Sequence, residues 1–245
     1  MIETQQPLFV GTSRGQGHQK TVAVIAGKLR RLGRLQGERM LDVGCGTGMF
    51  TSALGTGFQQ VCGIDVQEPY LEVFRDAVKG QDKFVVQNMS ASAMTFPKDH
   101  FDSIVTIETL EHVPDLEGAA AEIARVLRSG GELLITVPNR WFPFENHGMR
   151  IGSREFATRI PLLPYLPWLH HRLSLARVFT VRDLDSLFVA RGLKRVAVDY
   201  AWPTFEHGGN PFQRFLRPLF GLMRWLEQSP LRLFGTSVVV RYVKP

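Results

Sequence analysis

Short apolar runs recur along the first half of the chain, each closed by a turn bearing glycine, proline or polar residues. Between them, apolar residues fall at three- and four-residue steps. This alternation predicts strands separated by amphipathic helices. Five strands are read: Met40-Leu41-Asp42-Val43, Val61-Cys62-Gly63-Ile64-Asp65-Val66, Lys83-Phe84-Val85-Val86-Gln87, Phe101 to Glu108, and Leu133-Leu134-Ile135-Thr136-Val137. Helices are predicted at 20–35 (Val22, Ile25, Ala26, Leu29, Leu32), 49–53, 69–78 and 117–127, the last stopping at Gly130-Gly131. Strands that are apolar along their whole length fit a parallel sheet covered on both faces.

The rhythm breaks after Asn139. Residues 140–178 interleave Trp141, Phe142, Phe144, Tyr165 and Trp168 with Pro143, Pro161, Pro164 and Pro167. No long helix survives such proline spacing, and the segment reads as a lid over a substrate, with a surface loop burying its own aromatics as the alternative. Thr180 then caps a helix that carries Leu184, Leu187 and Phe188 and ends at Gly192. Leu193–Tyr200 and Ser237–Val243 are the sixth and seventh strands. A second insertion, 203–232, separates them. Within it, Phe215, Leu216, Leu219, Phe220, Met223 and Leu226 share one side of a helical wheel and Arg214, Arg217 and Arg224 the other, with Pro218 as a kink. That composition suits a helix lying on a membrane surface, so peripheral contact through 211–228 is expected. A helix covering the chain's own core, or one forming a dimer interface, is the alternative.

The expected organisation is a single domain over 1–245. It comprises an N-terminal arm and helix (1–37), an α/β core (38–139) and the two insertions. No apolar leader and no run long enough to cross a membrane is read, and two cysteines do not make a disulfide framework or a metal site. A cytoplasmic location follows as an expectation, with the inner membrane surface as a place of contact. Residues 1–138 carry 13 Lys and Arg against 16 Asp and Glu, whereas 139–245 carry 16 against 7. The basic excess therefore belongs to the C-terminal part, and nucleic acid, an anionic surface or an acidic substrate are the partners it suits.

The candidate chemistry starts at Asp42-Val43-Gly44-Cys45-Gly46-Thr47-Gly48, between the first strand and its helix. Glycines at alternate positions open the backbone to a ligand at a helix start. Met49-Phe50 follows where a phosphate-binding loop needs Lys-Ser/Thr, and Met49 is too large for the third small residue of a dinucleotide loop. The pattern that remains resembles the first motif of class I S-adenosylmethionine-dependent methyltransferases. Asp65 ends the second strand about 20 residues on, where a carboxylate accepts from ribose hydroxyls. The alternative for Asp65 is a helix cap.

The resemblance implies a Rossmann-like, doubly wound, seven-stranded sheet with an antiparallel last strand, and S-adenosyl-L-methionine as cofactor. It implies a binding set of Asp42, Gly44, Cys45, Gly46, Gly48, Asp65 and Val66, with Asn88 and Met89 at the adenine. Ile107 and Glu108 sit at the end of the fourth strand, where open sheets place ligands. Thr109-Leu110-Glu111-His112-Val113-Pro114 is similar to the segment found in ubiquinone- and menaquinone-biosynthesis methyltransferases. His112 is the candidate general base, with a structural imidazole as the other reading. No metal ligands are assigned. The expected reaction is methyl transfer to a small lipophilic acceptor, preferably at oxygen. Two rivals stand beside it. An RNA methyltransferase is argued against by the missing Asn/Asp-Pro-Pro-aromatic motif. The other is a non-catalytic scaffold that keeps the cofactor fold.

Overall fold

In the computed structural model, residues 16–145, 147–152, 154–156, 160–202 and 225–245 are described. The predicted arm at 1–15 and most of the 211–228 stretch lie outside them.

In chain order, α1 (Gln16–Leu32) leads into β1 (Gly37–Val43), and α2 (Met49–Leu54) into β2 (Phe58–Asp65). Next come α3 (Glu68–Ala77), β3 (Phe84–Asn88), β4 (Phe101–Ile107), α4 (Leu116–Val126) and β5 (Leu127–Pro138). The lid segment contains β6 (Phe144–Glu145), β7 (Met149–Ile151), β8 (Arg154–Phe156), β9 (Ile160–Pro161) and α5 (Pro167–Leu173). Finally α6 (Val181–Phe188), β10 (Lys194–Ala201) and β11 (Ser237–Val243) complete the fold.

Seven strands form one sheet in the order β10-β11-β5-β4-β1-β2-β3. β1 to β5 are mutually parallel where they pair, and β11 runs antiparallel to both β5 and β10. The order reverses at β1, which has β2 on one side and β4 on the other, so a crevice opens beyond the carboxyl ends of these strands. Alternate side chains of the strands feed two cores. Leu41, Val43, Ile104, Leu133 and Ile135 meet Ile123 of α4 and Leu184 and Phe188 of α6. Met40, Val105, Leu134 and Val239 meet Ala26 and Leu29 of α1 and Leu54 of α2. At about 25 cal/mol per Å² of apolar surface, each such fully buried side chain contributes about 1.5–3 kcal/mol.

Three sequence expectations are corrected. The helix expected to stop at Gly130-Gly131 ends at Val126, and both glycines belong to β5. Ser103 to Ile107 of β4 pair with Glu132 to Thr136, and the pairing also reaches Leu127 opposite Phe101. The predicted helix 20–35 carries Lys28, Arg30, Arg31 and Arg34 in its second half, as basic residues suiting a helix end, yet Lys28 is only 5% exposed. Its Nζ donates to Asp199 (3.3 Å) and to the Tyr200 carbonyl (3.1 Å) and pairs with Glu227. The lid stretch, read only as proline-rigidified, folds into two small antiparallel hairpins, β6 with β9 and β7 with β8. Among the described residues no helix is long and apolar enough to cross a membrane.

Candidate active site

The glycine loop turns sharply because Gly44, Gly46 and Gly48 all take positive φ (78°, 50° and 77°). The three are not equivalent. A Cβ on Gly44 would come 2.2 Å from the Thr109 methyl, and one on Gly48 2.0 Å from the Phe74 ring, so these two let the loop pack. A Cβ on Gly46 would meet nothing within 4 Å, which leaves its backbone open to the crevice. Asp65, at the end of β2, accepts from the Gly46 N–H (3.0 Å) with one oxygen and from the Gln67 N–H (2.9 Å) with the other. Each carboxylate oxygen keeps a further lone pair.

A cleft of about 1150 Å³ runs from this loop to the lid. Gly44, Gly46, Asp65, Val66, Met89, Glu108 and His112 of the expected site line it. Asp42, Cys45, Gly48, Asn88 and Ile107 do not. Asp42 is buried behind the loop and accepts from Thr51 Oγ1 (2.6 Å). Burial pushes its carboxyl up to about 7, against the lowering effect of the Thr51 bond. Cys45 is buried against Phe74, and burial raises its thiol. Ile107 belongs to the core. Asn88, expected at the adenine, is exposed and donates from Nδ2 to Glu68 (2.8 Å). Val66, 57% exposed on the cleft floor, and Met89 are the apolar platform.

At the other end of the floor, Glu108 takes a left-handed φ of 49°, a conformation non-glycine residues adopt at a cost. One ligand atom from each of Glu108, Glu111 and His147 lies within 4.8 Å of the others. The Glu111 side chain is fully buried, and neither of its oxygens has a hydrogen-bond partner among the described residues. An orphaned buried carboxylate is costly and asks for a cation or a proton. Burial, reinforced by the Glu108 charge, lifts the Glu111 carboxyl well above its ordinary range. Glu108 opens to the cleft while protein crowds its inner side. That loss of solvent raises its carboxyl, and the nearby His147 lowers it. Donor type and spacing fit a divalent cation.

His112 sits on the turn Leu110–His112, its ring centroid 6.0 Å from that of His147. Partial burial first, then the nearness of His147 and of the Arg177 guanidinium, lower its pKa, so the imidazole is neutral at pH 7. His147 comes from the lid, beside Glu145. The lid wall also carries Arg140, Pro164, Leu175, Arg177 and Val178. Sequence reasoning assigned no role to Glu111, His147, Glu145 or His170. The signal available for two of them was a glutamate and a histidine two residues apart just after Phe142-Pro143-Phe144.

Residues 41–135 match a family described as a methyltransferase domain. The O-methyltransferase cnsE of Penicillium expansum is 37% identical over 139 residues, covering 52% of this chain and 50% of the relative. A ubiquinone biosynthesis O-methyltransferase of Aromatoleum aromaticum is 37% identical over 113 residues, covering 44% and 47%. The chain thus spans about half the length of the curated relatives it matches. Among solved structures, an S-adenosylmethionine-dependent methyltransferase from Mesorhizobium loti superposes with a TM-score of 0.60 at 20% identity, covering 94% and 98%. The [4+2]-cyclase SpnF superposes with a TM-score of 0.59 at 17% identity, covering 95% and 86%. These structural likenesses speak for the fold, which does not fix the reaction. The matched segment, 41–135, carries the glycine loop and Asp65 at the end of β2, and with the β10-β11-β5-β4-β1-β2-β3 order it identifies the α/β core as a methyltransferase domain.

Proposed function

We propose that the chain methylates the hydroxyl oxygen of a small acceptor with a lipophilic body, using S-adenosylmethionine and a divalent cation held by Glu108, Glu111 and His147. The observation that carries the reading is that the glycine loop with Asp65 and the carboxylate–histidine triangle open onto one cleft. Similarity to O-methyltransferases supports oxygen as the acceptor atom. Pro164, Leu175 and Val178 on the lid wall support an apolar body.

S-adenosylmethionine supplies a methyl group already activated on a sulfonium, with a neutral thioether as leaving group. The open backbone at Gly46 and the spare lone pairs of Asp65 would hold its amino-acid and ribose parts, and Val66 and Met89 would offer the adenine an apolar surface. A divalent cation held by Glu108, Glu111 and His147 would supply Lewis acidity that makes a hydroxyl easier to deprotonate. The neutral His112 imidazole takes the acceptor proton. The lid walls water out and holds the acceptor in line, which is most of what an activated methyl requires. The sequence of 211–228, together with exposed Leu162, Leu166 and Trp168 on the lid, supports delivery of the acceptor from a membrane surface.

Calorimetric titration of S-adenosylmethionine and S-adenosylhomocysteine tests the cofactor. Transfer of labelled methyl to lipophilic phenols and quinols, with Mg²⁺ or Mn²⁺ against chelator, then tests the acceptor and the cation. Transfer that needs the metal is expected. No binding heat with either ligand would remove the methyltransferase reading, and salt-dependent RNA affinity with RNA methylation would replace the acceptor.

A further inference from the structure

Glu145 lies on β6 with its side chain wholly buried, an unusual place for a carboxylate unless it is partnered. Both oxygens are used. Oε2 lies 2.5 Å from Nε2 of His170, itself 5% exposed on α5. Oε1 accepts from the His147 backbone N–H (2.7 Å) and lies 3.3 Å from His147 Nδ1. With Nδ1 turned to Glu145, Nε2 is the nitrogen left for Glu108 and Glu111. His147 sits on a loop between two very short strands, β6 and β7, so its own backbone does little to fix the ring.

We propose that Glu145 is the positioning residue of this site. Anchored by His170, it holds the His147 ring so that Nε2 completes the triangle with Glu108 and Glu111. A carboxylate behind a histidine is the arrangement that fixes ring orientation and tautomer at ligand-binding imidazoles. The brace lies wholly within the lid, while Glu108 and Glu111 belong to the sheet end, so the triangle is complete only with the lid docked as observed. This inference rests on the cation reading above, but its first readout does not.

That readout is nitrogen-15 NMR of the histidine side chains in the metal-free protein. Wild type should show His147 as a single tautomer with the proton on Nδ1, and Glu145→Gln should lose that preference while S-adenosylhomocysteine affinity and melting temperature hold. The second readout is Mn²⁺ affinity by calorimetry. Glu145→Gln should bind about 10- to 100-fold more weakly. Adding it to His147→Ala should weaken binding no further, because the brace acts only through that ring. Mixed tautomers in wild type would overturn the brace, and so, in a wild type that binds Mn²⁺ more tightly than Glu108→Gln does, would Mn²⁺ affinity unchanged in Glu145→Gln or an equal loss in the His147→Ala background. A fixed tautomer released by Glu145→Gln, in a wild type that binds Mn²⁺ no better than Glu108→Gln, would keep the brace and remove the cation reading.

Discussion

Asp65 accepts a 3.0 Å hydrogen bond from the backbone N–H of Gly46, so the carboxylate proposed to meet the ribose also holds the loop in its open shape. Replacing it by alanine removes both effects. Asp65→Ala should weaken S-adenosylhomocysteine binding by about 10- to 100-fold, as expected for a lost charge-assisted bond plus a relaxed loop. Asp65→Asn, which keeps an acceptor oxygen, should fall between. Calorimetry ranks the three proteins, and equal affinities would separate Asp65 from the cofactor.

Gly46 and Gly48 should respond oppositely to the same small change. Both carry positive φ, so alanine at either costs about 1–2 kcal/mol of backbone strain. At Gly48 the new methyl also strikes the Phe74 ring, and overpacking adds about 1–3 kcal/mol. At Gly46 it projects into open space on the cleft. Denaturant unfolding should show Gly48→Ala as much the less stable, whereas Gly46→Ala should fold well and bind the cofactor poorly.

Asp42 makes stability depend on pH. Its carboxyl is pushed up to about 7 in the folded chain, against about 4 when unfolded. The folded state therefore holds the proton more tightly, and the stability it gains is full below pH 4 and lost as pH rises through 7. The slope is at most about 1.4 kcal/mol per pH unit within that window. Asp42→Asn, which still accepts from Thr51, should gain on wild type as pH rises from 5 to 8. Parallel melting curves for the two proteins across that range would contradict this.

Glu111 should trade stability for ligand binding. Buried without a hydrogen-bond partner, 3.9 Å from His112 Nε2, and raised well above the carboxylate range, it destabilises the metal-free fold increasingly as pH rises. Glu111→Gln should melt above wild type at pH 8, with the gap narrowing toward pH 5. The same variant should lose Mn²⁺ affinity. A variant that melts lower at every pH would mean the carboxylate is satisfied in a way the structure does not show.

Much of the fold can be read locally. The strands announce themselves as apolar runs, and the loop from Asp42 to Gly48 and the position of Asp65 follow from spacing along a single strand–turn–helix–strand unit. The parts that escape are those made by distant partners. Lys28 looks like one more cation on the polar side of a helix, and only Asp199, 171 residues on, and Glu227 make it a buried one. The candidate site divides the same way. Glu108 and His112 are visible in one short segment. Glu111 gains its meaning only when His147 arrives from a lid whose hairpins leave no periodic trace, and Glu145 only when His170 reaches it from α5. Asn88 shows the converse, since a residue of suitable type at the right strand end turns instead to its neighbour Glu68.

The place of β11 inside the sheet carries a consequence for how the chain acquires its shape. β11 follows every other strand in sequence, yet it separates β10 from β5. A nascent chain that has made β1 to β5 can assemble the parallel half and its crevice. Its β5 border stays an open edge of unpaired backbone, and β10 has nowhere to dock until β11 emerges. The lid is made within that interval, so the half-built molecule exposes both a sheet edge and an aromatic segment, the conditions that invite association between chains. Expression yield should therefore respond to the translation of residues 140–243 more than to any change in the glycine loop from Asp42 to Gly48.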